Sequence, residues 1–135
     1  MDQTPVPFSY SLKKTLEVVG RQTIHVRKSQ SNTKRATFAM TITASGRVLP
    51  PLVVFKGRPG GRIEQTEFST YHQGMHYACQ DNAWMDEWVI LLWVEQALEP
   101  YVSTAPAGIV PILFLDSYQC HTMTSVVTRI HVFRQ

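Results

Sequence analysis

The chain predicts an α/β fold, and three observations predict it. A β-branched stretch with one apolar face, ATFAMTITA at 36–44, is followed by a Gly-containing turn and a second extended run. Apolar residues then recur at helical spacing between 82 and 100. The apolar run IVPILFLD at 109–116 is too short for a helix and has the composition of a strand covered on both faces. A strand hairpin, a long helix, a buried strand and a short helix, in that order, fit one domain of 135 residues.

Each element has its local reason. In the hairpin, Phe38, Met40 and Ile42 share one face, the expected inner side of the strand, Ser45-Gly46-Arg47 supplies the turn, and VLPPLVVFK at 48–56 resumes the extended pattern. Residues 36–56 therefore read as an antiparallel hairpin. Pro50 and Pro51 cannot donate ladder hydrogen bonds, which puts the start of its second strand at an edge or a bulge. GRPGGR at 57–62 opens a loop region that runs to residue 80. Asp81 or Asn82 can cap the helix over 82–100, along which Trp84, Trp88, Leu91, Leu92 and Glu95 repeat at three and four. Asp86 and Glu87 suit its N-terminus, and Pro100 ends it. Residues 122–131 read as a short helix, and TIHVR at 23–27 alternates weakly.

Charge divides the chain. Residues 1–62 hold eleven Lys and Arg against Asp2 and Glu17, a balance of +9; residues 63–135 hold Arg129 and Arg134 against eight acids, a balance of −6. In the basic half, Lys13, Lys14, Arg27, Lys28, Lys34, Arg35, Lys56, Arg58 and Arg62 are the candidates for contact with a polyanion such as DNA. The bland reading is a solvated face that balances the acidic half. No apolar run approaches the ~20 residues of a membrane span, and the start of the chain lacks the basic and apolar parts of a signal peptide. With no export signal, Cys79 and Cys120 read as free thiols.

Asp116 stands at the carboxyl end of the apolar run, where polar residues that do chemistry collect in sheets of this kind. The same position suits an N-cap for the helix that follows. Four segments carry a resemblance: MDQTPVPF at the start, VLPPLVVFKG at 48–57, WMDEWVILLWVEQALEP at 84–100 and LFLDSYQCH at 113–121. In collinear order over almost the whole chain, they resemble the signature segments of the DDE superfamily endonuclease domain of pogo, Tigger and jerky transposases, relatives of mariner-like elements.

The resemblance implies an RNase H-like mixed sheet flanked by helices, incomplete here, with part of the first strand and everything after the second catalytic Asp region missing. It implies a nuclear protein that acts on DNA and uses Mg²⁺ or Mn²⁺. The first family carboxylate falls on Asp2 and the second on Asp116, as catalytic residues and metal ligands, and His121 matches a recurrent supporting His. Acids suit this role because Mg²⁺ prefers oxygen ligands, and a pair of ions would stabilise the attacking and leaving oxygens of an in-line displacement at phosphorus. The family's third acid would fall beyond Gln135, and Glu95 and Glu99 lie in the wrong place to substitute.

The expectation is therefore a nucleic-acid-binding fragment of a catalytic core, not competent alone, whose exposed sheet edges favour self-association. One alternative is a domesticated DNA-binding or interaction module without metal chemistry. Another is a small zinc-binding domain built from His72, His76, Cys79, Cys120 and His121.

Overall fold

The computed structural model of the chain describes residues 1–8, 19–20, 35–106 and 108–132. Lys13, Lys14, Arg27, Lys28, Lys34 and the weakly alternating 23–27 stretch lie outside the described residues.

Four strands, β1 (Asp2–Pro7), β2 (Arg35–Met40), β3 (Leu52–Lys56) and β4 (His76–Gln80), form one sheet in the order β1-β2-β3-β4. The first two pairings are antiparallel, with Thr4 opposite Phe38 and Phe38 opposite Val53; β3 and β4 are parallel, with Val54 opposite Ala78. The turn between β2 and β3 is held by Thr43, whose N–H donates to Arg47 O and whose Oγ1 accepts from Arg47 N–H. Gly46 takes the positive φ that this turn requires.

The alternation of the strands decides what each face packs against. Ala39, Leu52, Val54 and Ala78 point to one face and join Met85, Val89, Ile90, Trp93, Val94, Ala97, Leu98, Cys120 and Val126 in a single core. The other face carries Phe55 and Tyr77, which meet Phe8, Phe68 and Tyr71 in a cluster of rings with centroids 5.1–6.3 Å apart. The α/β class expected from the sequence is the class found: a mixed sheet with helices.

The helical part comprises α1 (Glu87–Trp93), a π-helical turn (Val94–Leu98) and α2 (Glu99–Val102), with α3 (Thr124–Val132) after a 3₁₀ turn at Gln119–Thr122. The π turn follows from the spacing of the buried residues. Val89 and Ile90, Trp93 and Val94, Ala97 and Leu98, then half-buried Tyr101 and Val102 repeat every four residues. An α-helix of 3.6 residues per turn would rotate such a stripe by about 40° at each repeat, and a wider turn cancels the drift. In that turn Glu99 N–H reaches back five residues to Val94 O, and Pro100 falls in the first turn of α2, where a missing N–H costs little.

Several expectations change. The helix begins after Asp86, whose Oδ1 accepts from Val89 N–H at 3.0 Å, rather than at Asp81 or Asn82. The cause is a left-handed kink at Ala83, φ 57°, held by Thr37 Oγ1 donating to Ala83 O and by Gln80 Oε1 accepting from Asn82 and Trp84 N–H. Pro100 does not end the helix, which runs on to Val102. The 57–80 region contains helical turns over 63–70 and the strand β4. β3 is an interior strand, and its prolines sit just before the ladder, with Pro51 O accepting from His76 N–H.

The stretch 109–116 differs most. It lies outside the four strands, and Ile109, Val110, Ile112 and Phe114 are 60–81% exposed. Phe114 O accepts from the amino group of Met1, just before β1, at 3.2 Å, and a single such bond is too little to make a ladder. The third helix starts at Thr124 rather than 122, because Gln119–Thr122 closes as a tighter 3₁₀ turn.

Asp86→Ala should lower stability by about 1 kcal/mol through loss of the N-cap, read as a lower urea midpoint at unchanged slope. Asp81→Ala, outside the helix, should leave the midpoint unchanged.

Candidate functional site

The Met1–Phe114 hydrogen bond brings the start of β1 beside the end of the 109–116 segment. Asp2 is one residue after its donor and Asp116 two residues after its acceptor. Asp2 is exposed, and its Oδ1 accepts from Gln3 N–H at 2.7 Å. Asp116 has a side chain 55% exposed, and its Oδ1 lies 2.6 Å from Nδ1 of His121, whose side chain is 1% exposed. Tyr118 N–H also donates to Asp116 Oδ1 at 3.4 Å. Asp116 is thus held from below by a buried imidazole and a backbone turn, and it does not cap α3.

The 3₁₀ turn is what returns His121 to Asp116: His121 N–H donates to Tyr118 O, and the Tyr118 ring meets the imidazole edge-on at 5.7 Å. The neighbouring Cys120 points into the core. Burial pushes its thiol up to about 11, partly offset by a backbone hydrogen bond, with the Asp116 and Asp86 carboxylates adding to the rise. Cys79 is raised for the same first reason, with Glu64 and Glu67 nearby.

Exposed carboxylates of this kind supply the oxygen donors a hard divalent cation prefers, so Asp2 and Asp116 fit such an ion in chemistry. Among the described residues, no group of three His, Cys, Asp or Glu is placed to hold a metal. This overturns the zinc alternative, whose residues His72, His76, Cys79, Cys120 and His121 are all described. Cys120 is a core side chain, whereas Cys79 lies beside Gly57 and Ile63 on the other face of the sheet.

The described basic candidates gather at the far end of the sheet. Asp2 pairs with Met40 and Pro7 with Arg35, so Arg35 stands five residues along the ladder from Asp2, about 17 Å at the strand rise. Lys56 ends β3 at the same end, and exposed Arg58 and Arg62 follow in the connection to the 63–70 turns. Sequence reasoning missed the ring cluster, since Phe68, Tyr71 and Tyr77 fall in a stretch without periodicity.

For a thiol whose folded pKa is raised, the neutral form is favoured in the native state. The stability it contributes is full below the unfolded value near 9 and is lost as pH rises toward 11. Unfolding free energy should fall over that window, and Cys120→Ala should flatten the fall when urea midpoints are measured at each pH.

Comparison with known proteins bears on these residues. The chain is 28% identical over 131 residues to a mouse protein, and 25% identical over 131 residues to a human one, each named pogo transposable element with KRAB domain. The alignments cover 93% of this chain and 19% of each relative, so the chain spans about a fifth of their length. No solved structure matches significantly. The DDE superfamily endonuclease family matches residues 33–134, which include Asp116 and His121 and leave Asp2 outside. A match over three quarters of the chain, with the mixed sheet described above, shows that this protein belongs to the DDE superfamily endonuclease family.

Proposed function

We propose that the chain is part of a transposase catalytic core that contacts DNA in the nucleus and is not competent for strand cleavage alone. The observation that supports this reading is the Met1–Phe114 hydrogen bond, which joins the start of β1 to the segment that ends in Asp116. The family generally uses a divalent metal, and in this reading Asp2 and Asp116 hold Mg²⁺ or Mn²⁺. Such an ion would stabilise charge on the oxygens around a reacting phosphorus. His121 fixes one oxygen of Asp116 and so orients the carboxylate toward solvent. Two protein carboxylates would leave most of an octahedral ion's ligand positions to water and phosphate, so in this reading cleavage needs a further acid.

Arg35, Lys56, Arg58 and Arg62 then serve as phosphate contacts away from the acids. For Arg35, a separation from Asp2 of about 17 Å along the ladder corresponds to about five base pairs of a duplex lying along the sheet. Self-association proceeds through the edge of β4, unpaired among the described residues, because Pro5 and Pro7 remove two backbone donors from β1, the other edge strand there. No helix of the described residues is long and apolar enough to cross a membrane.

Two experiments test this. Incubation of supercoiled DNA with the protein and Mn²⁺ should give no nicking; nicking that depends on the divalent ion and disappears in Asp116→Ala would overturn the inference of inactivity. In a DNA-binding titration, the apparent affinity should fall steeply with salt, and Arg58→Glu with Arg62→Glu should make the slope shallower by about two. Binding of equal strength to any polyanion, unchanged by those substitutions, would speak against a DNA-contacting face.

A further inference from the structure

The two faces of the sheet are closed unequally. Thr4, Phe38, Val53 and Tyr77 stand opposite one another from β1 to β4, so they share the face away from the helices. None of the four is buried, whereas Thr37, Ala39, Leu52, Val54 and Ala78, which point to the helix side, all are. At one end the unsealed face is aromatic. In the ring cluster Phe8 is 60% exposed, and Phe55, Phe68, Tyr71 and Tyr77 are half-buried. Phe55 is the centre of the cluster: its centroid lies 5.4–6.3 Å from each of the other four, and its plane is within 22° of those of Phe8 and Tyr77.

Cations stand at the same corner. A Cβ on Gly57 would lie 3.3 Å from Ile63 Cδ1 and 3.5 Å from Cys79 Sγ, so the chain that leaves β3 folds over onto the ring face, and Lys56, Arg58 and Arg62 are exposed around that fold. The two acids nearby each have a local donor: Gly60 N–H donates to Glu64 Oε2 at 2.7 Å, and Tyr71 O–H donates to Glu67 Oε2 at 2.8 Å. With Arg35 at the same end of the ladder, the cations outnumber them. Rings alone would suit any apolar partner; cations beside them select a polyanion with aromatic groups to offer. A duplex stacks its bases on one another and presents phosphates, whereas a single strand presents phosphates and bases together. Stacking on side-chain rings tolerates any sequence, because every base has a π-face.

We infer that this corner of the sheet binds single-stranded DNA, with bases stacking on Phe8 and on the cluster centred at Phe55, and phosphates meeting Lys56, Arg58 and Arg62. The inference rests on the DNA-contacting reading of those cations and adds the state of the strand they hold. Phe8 follows Pro7, which pairs with Arg35 at the end of the ladder away from Asp2. An unpaired segment captured there is therefore kept apart from the carboxylates.

The test measures fluorescence anisotropy on the full chain, at one salt concentration, with a labelled oligothymidylate, an abasic strand of the same length and a duplex. The oligothymidylate should bind about tenfold more tightly than the abasic strand, which has the same charge and no bases. Phe8→Ala, at an exposed position, and Phe55→Leu, which keeps an apolar side chain on the strand, should each bring that ratio toward one, and Phe8→Trp should keep it. Arg58→Glu with Arg62→Glu should weaken binding of both single strands. Thermal melts check that each variant folds; where one does not, the wild-type ratio and the remaining variants decide. Equal binding of the two single strands, a ratio that survives both ring substitutions, or binding of the duplex and neither single strand would overturn this inference and leave the DNA-contacting reading standing. Failure to bind any of the three would overturn both.

Discussion

The architecture depends on the burial of Leu52 and Val54 against the helix that follows the sheet. β3 lies between β2 and β4, and these two side chains, fully buried, lie on its helix-facing side. Opposite them in the core stand Val89, Ile90 and Trp93. Removing a buried side chain of this size from a close-packed core costs about 2–5 kcal/mol, a large share of what a domain of this length has in hand. β1 and β4 gain their places by pairing outward from that centre. The helix in turn carries α3, which is tied to it by Ser125 Oγ donating to Glu87 Oε1 and by Arg129 facing Glu99 at 3.1 Å.

What was legible in the sequence was whatever a local pattern decides. Phe38, Met40 and Ile42 identified an extended stretch but not its inner side: Thr37, Ala39 and Thr41 are the buried alternates, while Met40 and Ile42 are 39% and 62% exposed. The Asp116–His121 spacing belonged to a segment specific enough to carry a family resemblance. The helix start was not legible because Asp81, Asn82 and Asp86 are all competent caps. The choice among them is made by the kink at Ala83, which depends on Thr37, 46 residues earlier. β4 was hidden because His76–Gln80 buries Ala78 and Cys79, adjacent residues on opposite faces, and so shows no alternation. The 109–116 stretch was misread for the converse reason. Composition reveals that a segment is apolar, and says nothing of whether a strand stands beside it to pair with.

The candidate site shows the same division. Asp116 was singled out by its place after an apolar run and His121 by the family resemblance, and their contact at 2.6 Å shows what the spacing does: a 3₁₀ turn folds the imidazole back beneath the carboxylate. The ring cluster around Phe55 arises from segments far apart in the chain, Phe8 to Tyr77, so no window of sequence contains it. The basic residues were visible as a group. Among the described ones, the position of Arg35 and Lys56 at the end of the ladder away from Asp2 follows from strand register.

The π turn at Val94–Leu98 makes the position of Tyr101 and Val102 a matter of counting. Because that turn takes up the excess of a four-residue repeat, Tyr101 and Val102 arrive on the same side of the helix as Trp93. Nothing they touch needs to pull them there. A chain one residue shorter in this turn would keep its composition, its hydrophobicity and nearly all of its hydrogen bonds. It would still rotate everything beyond it by about 100°, carrying Val102 away from the core it now packs against. Helical phase, rather than any single contact, closes that side of the molecule.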